Sequence, residues 1–114
     1  FHYSFPCMLT DDECTIAYAE GSRLEGLFNQ GIAFYKQFGI NHVRQEIWSK
    51  RSWSDRITVV KLCWKYMDSN YKLLYDCDYN YVLHKNKMDE WKIQLAVAIN
   101  EKKRMEAWLK NQKK

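Results

Sequence analysis

The sequence predicts an all-α protein, a helical bundle built on a long antiparallel helical hairpin. Three observations lead there. Thr10-Asp11-Asp12-Glu13 has the form of a capping box ahead of an apolar-periodic run. Tyr71, Tyr75 and Tyr79 recur every four residues, as one stripe of a helix does. Met88, Trp91, Leu95, Ala98, Met105 and Leu109 follow a heptad-like spacing, with Lys102 as the polar exception.

Element by element, the first helix should run from about Asp11 to Phe38 and stop at Gly39. Its apolar face would use Cys14, Ala17, Leu24, Leu27, Phe28, Ile32, Tyr35 and Phe38. Gly21, Gly26 and Gly31 lie inside it, each weakening a helix by about 1 kcal/mol relative to alanine. Close approach of a second helix, or a bend, would offset that. Asn41 to Tyr75 reads as a second helix, capped by Asn41 and open to interruption at Ser52-Trp53-Ser54-Asp55, since serine and aspartate favour caps. A turn near Asp78, a short helix around Tyr79 to His84 and a last helix from Lys87 to Lys113 complete the chain. At 114 residues and 46% hydrophobic content it suits one folded domain over residues 1–114 and is too apolar for disorder. No run of 18 apolar residues is present to span a membrane.

Cys7, Cys14, Cys63 and Cys77 show neither CxxC nor zinc-finger spacing. The chain starts at Phe1 rather than methionine, which fits either an arbitrary boundary or a mature chain whose signal has been removed. An even cysteine count in a short chain then suggests an oxidising compartment and two disulfides; four buried thiols are the alternative. Cys63 and Cys77, 14 residues apart, would stand about 21 Å apart on one helix, so they should not pair with each other. Folding the hairpin at Gly39 sets Cys14 opposite Cys63 and Cys7 near Cys77, which predicts those two bridges.

The net charge of +4 is unevenly laid out. Residues 1–38 carry −3, 39–75 carry +4, 76–90 carry −2 and 91–114 carry +5, counting Lys and Arg against Asp and Glu. Two basic blocks can steer a protein toward an anionic surface, although solvated helix faces are the plainer reading. Trp48 and Trp53 lie among Lys50, Arg51 and Arg56, and Trp108 lies close to Lys102, Lys103 and Arg104. Tryptophan beside basic groups suits an interfacial helix on anionic lipid.

No phosphate loop, GxGxxG or HExxH occurs, and His2, His42 and His84 are scattered. Asp76 and Asp78 flank Cys77, but two carboxylates without further oxygen ligands make a poor cation site. The sequence therefore predicts no catalytic residue, no metal and no cofactor, and favours binding over enzyme chemistry. Gln37-Phe38-Gly39-Ile40-Asn41, followed by a basic stretch, has the outline of a helix-turn-helix. Tyr35 stands where that motif wants a small residue, and Val43 and Ile47 are out of step with it, so a nucleic-acid partner is not expected.

Three segments, FNQGIAFYKQFG (Phe28 to Gly39), KYMDSNYKLLY (Lys65 to Tyr75) and LAVAINEKKRMEAWLKNQ from Leu95, resemble in order the abalone sperm lysin family of gastropod acrosomal proteins. That resemblance implies a closed bundle of long helices and a secreted protein of the sperm acrosomal vesicle, acting without enzymatic cleavage at the egg surface. The four cysteines, modest charge and tryptophan–basic clusters place it nearer the family's fusogenic eighteen-kilodalton paralog, with the egg plasma membrane or another anionic lipid surface as partner. The alternative is lysin-like binding to a vitelline-envelope glycoprotein, and a lesser one is an intracellular DNA-binding helical protein. A homodimer is compatible with any of these. On this reading some of Tyr66, Tyr71 and Tyr75 pack the hairpin seam, while Tyr79 and Tyr81 face outward and join the partner surface.

Overall fold

The computed structural model describes residues 2–112 and is built mainly of strands. In chain order the elements are β1 (His2–Thr10), β2 (Thr15–Tyr18), α1 (Gly21–Gln37), β3 (His42–Ser54), β4 (Ile57–Met67), β5 (Leu73–Lys85), β6 (Trp91–Ala98) and α2 (Glu101–Gln112). The six strands form one sheet in the order β2-β1-β6-β5-β4-β3. Every neighbouring pair is antiparallel except β1 with β6, which is parallel. The expected all-α bundle, and with it the helical hairpin, is thus replaced by an α+β fold in which both helices cover one face of a sheet.

The strands follow from local chemistry. Ile57-Thr58-Val59-Val60 is β-branched throughout, which crowds a helix and suits a pleated surface. Val60, Leu62, Trp64 and Tyr66 alternate with Lys61, Cys63 and Lys65 along β4. Their partners across the ladder are Tyr81, Tyr79, Cys77 and Tyr75, which alternate with Asp76, Asp78 and Asn80. All eight of these paired side chains share the inner, helix-covered face. Val60, Leu62 and Cys77 are wholly buried there.

Asx-type turns reverse the chain where helix was expected. Asp11 Oδ1 accepts from the N–H groups of Glu13 and Cys14 at 2.8 and 2.9 Å. The residues that look like a capping box therefore close the β1–β2 hairpin instead. Asp68 Oδ1 accepts from Asn70 N–H at 2.8 Å and Lys72 N–H at 3.0 Å, joining β4 to β5. Asn86 Oδ1 does the same for Met88 and Glu90 between β5 and β6. Aspartate and asparagine are favoured at such turns because their side chains mimic a backbone acceptor. The Ser52–Asp55 cluster lies at the β3–β4 hairpin, where Ser54 Oγ accepts from Arg56 N–H at 3.2 Å.

The first predicted helix survives only from Gly21, and it ends where expected. Gly39 has φ of 74°, and Ile40 N–H donates to Tyr35 C=O at 2.9 Å, the closing bond of a Schellman motif. Gly26 and Gly31 have no neighbour within 4 Å of a would-be Cβ, so no second helix approaches them closely. The predicted last helix divides into β6 and α2, and its expected end at Lys113 lies outside the described residues.

All four cysteines are free thiols. Cys7 on β1 is separated from Cys77 on β5 by β6, two strand spacings or about 10 Å, beyond the ~7 Å that a bridge allows between Cα atoms. Cys14 is exposed in the β1–β2 turn, and Cys63 is buried on β4, three strands from β1. Cys63 and Cys77 sit on adjacent strands but on opposite faces, since Cys63 pairs with Asp78 and Trp64 with Cys77. The Cys14–Cys63 and Cys7–Cys77 bridges required a hairpin apex at Gly39 that the sheet does not have.

Candidate functional site

Between the inner face of the sheet and the two helices lies a cavity of about 820 Å³. Its sheet wall is made by Tyr3 and Leu9 of β1, Trp64 and Tyr66 of β4, Tyr79 and Tyr81 of β5, and Ile93 and Ala96 of β6. Leu27, Phe28, Ile32 and Tyr35 of α1 form one side, and Glu101, Lys102 and Met105 of α2 close another. Val43 and Gln45 of β3 also line the cavity. Large, mostly apolar walls with a few polar groups are the usual character of a small-molecule site.

One end of the cavity is shut by stacked rings. Tyr66 and Tyr75 lie face to face, with centroids 4.5 Å apart, and Trp108 lies against Tyr75 at 5.2 Å. Phe38 meets Trp108 edge-on at 6.2 Å, and Tyr35 packs on Tyr66 at 5.6 Å. These contacts carry α1 and α2 onto the sheet. The other end is open, for Leu27, Phe28 and Ile32 are each more than 40% exposed.

Trp64 Nε1–H donates to the Tyr81 hydroxyl at 3.1 Å. That bond fills an acceptor position on the oxygen and leaves the Tyr81 hydrogen available to a molecule in the cavity. Burial pushes the Tyr81 phenol up to about 12, with the Trp64 bond acting the other way. Burial also raises Tyr3, Tyr35, Tyr66 and Tyr75 above the ordinary phenol range. Burial thus favours the neutral, donating form of these five phenols. Cys77 Sγ donates to the Tyr66 hydroxyl at 3.8 Å, and burial pushes its thiol up to about 12.

Glu101, the first residue of α2, is the half-buried carboxylate of the cavity wall. Burial raises its pKa above the usual carboxylate range, and the nearby charge of Asp11 adds to that. Its charge in turn contributes to the raised values of Tyr3, Tyr35, Tyr66 and Tyr75. Glu101 thus lines the same cavity as the phenols of Tyr3, Tyr35 and Tyr66. Beside it Lys102 is held by Glu13, with Nζ 2.7 Å from both carboxylate oxygens.

The residues singled out from sequence separate into three places. Tyr79 and Tyr81 line the cavity rather than facing outward, and Tyr81 is 6% exposed. Trp108 is buried in the ring stack, away from the basic side chains that flank it in sequence. Trp48, Trp53, Lys50, Arg51 and Arg56 lie exposed on the β3–β4 hairpin and do not line the cavity. Lys102, Lys103 and Arg104 are exposed on the first turn of α2, where Arg104 is ion-paired with Asp76. Asp78 is hydrogen-bonded by Asn100, through both its N–H (2.8 Å) and its carboxylate (3.1 Å). The two carboxylates flanking Cys77 thus serve separate protein partners, and no group of three or more metal-ligating residues occurs among the described residues. Gln37–Asn41 leads into a strand, so no recognition helix follows that turn. Sequence reasoning missed Glu101 and Trp64 as site residues. The alternation of Val60, Leu62, Trp64 and Tyr66 with Lys61, Cys63 and Lys65 was the signal that could have found Trp64.

No family model matches the chain, and no curated protein matches it. Solved structures resemble it in fold. An NTF-2-like protein of unknown function from Shewanella oneidensis MR-1 aligns with a TM-score of 0.62 at 12% identity, over 87% of this chain and 76% of that one. A ketosteroid isomerase-like protein from Erwinia carotovora atroseptica aligns with a TM-score of 0.54 at 10% identity, over 85% of this chain and 74% of that one. At such identities the likeness establishes an NTF-2-like fold and nothing more. It does overturn the lysin resemblance. Of the three segments that carried it, Lys65–Tyr75 is strand, turn and strand, and the segment from Leu95 begins as strand. The sperm fusion and envelope-opening functions and the DNA-binding helical alternative all rested on a helical bundle. They fall with it.

Proposed function

We propose that the chain binds a small, flat, mainly apolar molecule in the inner-face cavity, and that Tyr81 orients it by donating to a carbonyl or similar acceptor. The observation that carries this reading is the Trp64–Tyr81 hydrogen bond. It fixes the phenol, fills one of its acceptor positions and leaves its hydrogen for a ligand in a space walled by aromatic rings. Rings stack on rings at little entropic cost, because aromatic side chains lose few rotamers on binding. The ketosteroid isomerase-like protein that shares the fold makes ring ketones a sensible first panel.

Trp64 supplies the assay. Titration of the protein with a panel of ring ketones, followed by tryptophan fluorescence, should give saturable quenching with a Kd on the order of micromolar. Tyr81→Phe should weaken binding by about tenfold, the worth of one hydrogen bond to a buried acceptor. Failure of every panel member to saturate, or equal binding by Tyr81→Phe, overturns the reading.

A second reading is supported by Glu101. A cavity carboxylate of raised pKa beside neutral phenol donors can shift a proton next to a carbonyl. Glu101 would take the proton from the carbon adjacent to the carbonyl while Tyr81 hydrogen-bonds the developing enolate oxygen. The same proton returned to another carbon gives an isomer with all atoms conserved. Exchange of that C–H hydrogen in D₂O, lost in Glu101→Gln, tests it; a bound ketone that shows no exchange leaves the protein a binder only.

A further inference from the structure

We propose that the β3–β4 hairpin is a docking surface for an anionic lipid bilayer. β3 is an edge strand, and eleven of its thirteen residues are exposed. Two of these are tryptophans, Trp48 at 50% and Trp53 at 65% exposure. Exposed indoles at this density are unusual on a face that meets only water. The hairpin, residues 42–67, holds Arg44, Lys50, Arg51, Arg56, Lys61 and Lys65 against Glu46 and Asp55. Six basic and two acidic groups make +4, equal to the net charge of the whole chain. Lys65 and Glu46 pair with each other at 2.8 Å, Trp48 Nε1 donates to Glu46 at 3.1 Å and Arg56 pairs with Asp89 at 3.7 Å, which leaves Arg44, Lys50, Arg51 and Lys61 as the charges without an ion-pair partner among the described residues.

Charge and indole are presented together. Lys61 Nζ sits 5.8 Å from the centre of the Trp48 ring. The ladder sets Arg44 opposite Lys65 and Arg51 opposite Val59, on the outer face of the sheet that Lys61 shares. Tryptophan enters the interfacial layer of a bilayer while lysine and arginine meet acidic headgroups. A partner strand is a poorer fit to this edge. The register slips at Ile47–Ser49 and again at Ser52–Ser54, and such bulges disrupt the regular edge a partner strand would add to. No helix among the described residues is long and apolar enough to cross a membrane, so the contact would be peripheral.

Co-sedimentation with phosphatidylcholine vesicles, with and without phosphatidylserine, tests the proposal at low and high salt. Binding is expected only with phosphatidylserine, and salt should weaken it. Removing two outer-face charges with Arg44→Gln and Arg51→Gln should reduce it about 30-fold, at ~1 kcal/mol per basic group. Trp48→Ala with Trp53→Ala should also reduce it and abolish a blue shift of fluorescence. Lys103→Gln, on α2, should leave it unchanged, and circular dichroism should show every variant folded. Absence of sedimentation, equal binding to neutral vesicles, or retention on heparin without vesicle binding overturns the proposal.

Discussion

The Trp64 indole N–H donates to the Tyr81 hydroxyl at 3.1 Å, tying β4 to β5 across the inner face of the sheet. Each side chain satisfies the other in an apolar setting, and the Tyr81 hydrogen is left for a guest. Tyr81→Phe strands the Trp64 N–H and should cost about 1 kcal/mol of stability. A urea midpoint lowered at unchanged slope would report that loss. The variant should lose ligand affinity as well, whereas a purely structural bond would lower stability alone.

The ring stack on Tyr75 holds the second helix. Trp108 is 9% exposed and meets both Tyr75 and Phe38. Trp108→Ala should cost about 3–5 kcal/mol, the range for deleting a large buried aromatic side chain. Amide exchange should then show α2 opening before the sheet, because the strands keep their own ladder.

Glu101 should make the folded protein less stable as pH rises. Its folded-state pKa is raised by burial, so the native form holds the proton more tightly than the unfolded chain does. The stability from that proton is fully present below the ordinary carboxylate value. It is lost as pH climbs from there through the raised folded value. Glu101→Gln should therefore melt higher than the parent at neutral pH and show a flatter Tm profile across that interval. A parent whose Tm rises steadily through the same interval while the variant matches it would contradict the assignment.

The thiols should be separable by reactivity. Cys14 is exposed, while Cys7, Cys63 and Cys77 are buried. Burial raises the thiol pKa of those three, which suppresses the reactive thiolate. Ellman's reagent should modify Cys14 quickly in the native protein and the other three only on unfolding. A non-reducing peptide map should recover four unbridged cysteines.

Two glycines should respond in opposite directions to alanine. A methyl at Gly26 meets nothing within 4 Å, so Gly26→Ala should stabilise by about 0.5–1 kcal/mol through helix propensity. Gly39 closes α1 at φ of 74°, and Gly39→Ala should destabilise by about 1–2 kcal/mol. Thermal melts of the pair separate the two effects.

Some of this was legible in the residues. The glycine at position 39 marks the end of a helix whatever surrounds it, because its φ belongs to the backbone itself. The later part of the last amphipathic run, Glu101–Gln112, is helical as its spacing implies. The tyrosine stripe misled for a physical reason. Residues four apart share a face on a helix and also on a strand, since four is a multiple of the strand period of two. The deciding positions were the intervening ones. Cys77 between Tyr75 and Tyr79, and Tyr81 beyond, put apolar groups at every second place, with Asp76, Asp78 and Asn80 between them. The β-branched run from Ile57 pointed the same way.

The sequence by itself determined which segments alternate, where Asp11, Asp68 and Asn86 can turn the chain, and that aromatic rings dominate the apolar content. Only the tertiary structure decided what those rings do. Strand order placed β4 and β5 side by side with Trp64, Tyr66, Tyr79 and Tyr81 on one face, and packed α2 so that Glu101 joins that face from 20 residues beyond Tyr81. It also kept the four thiols apart and left Trp48 and Trp53 on an edge. Pairing between distant strands is a non-local choice, made by burial of the whole sheet face rather than by any one segment's preference.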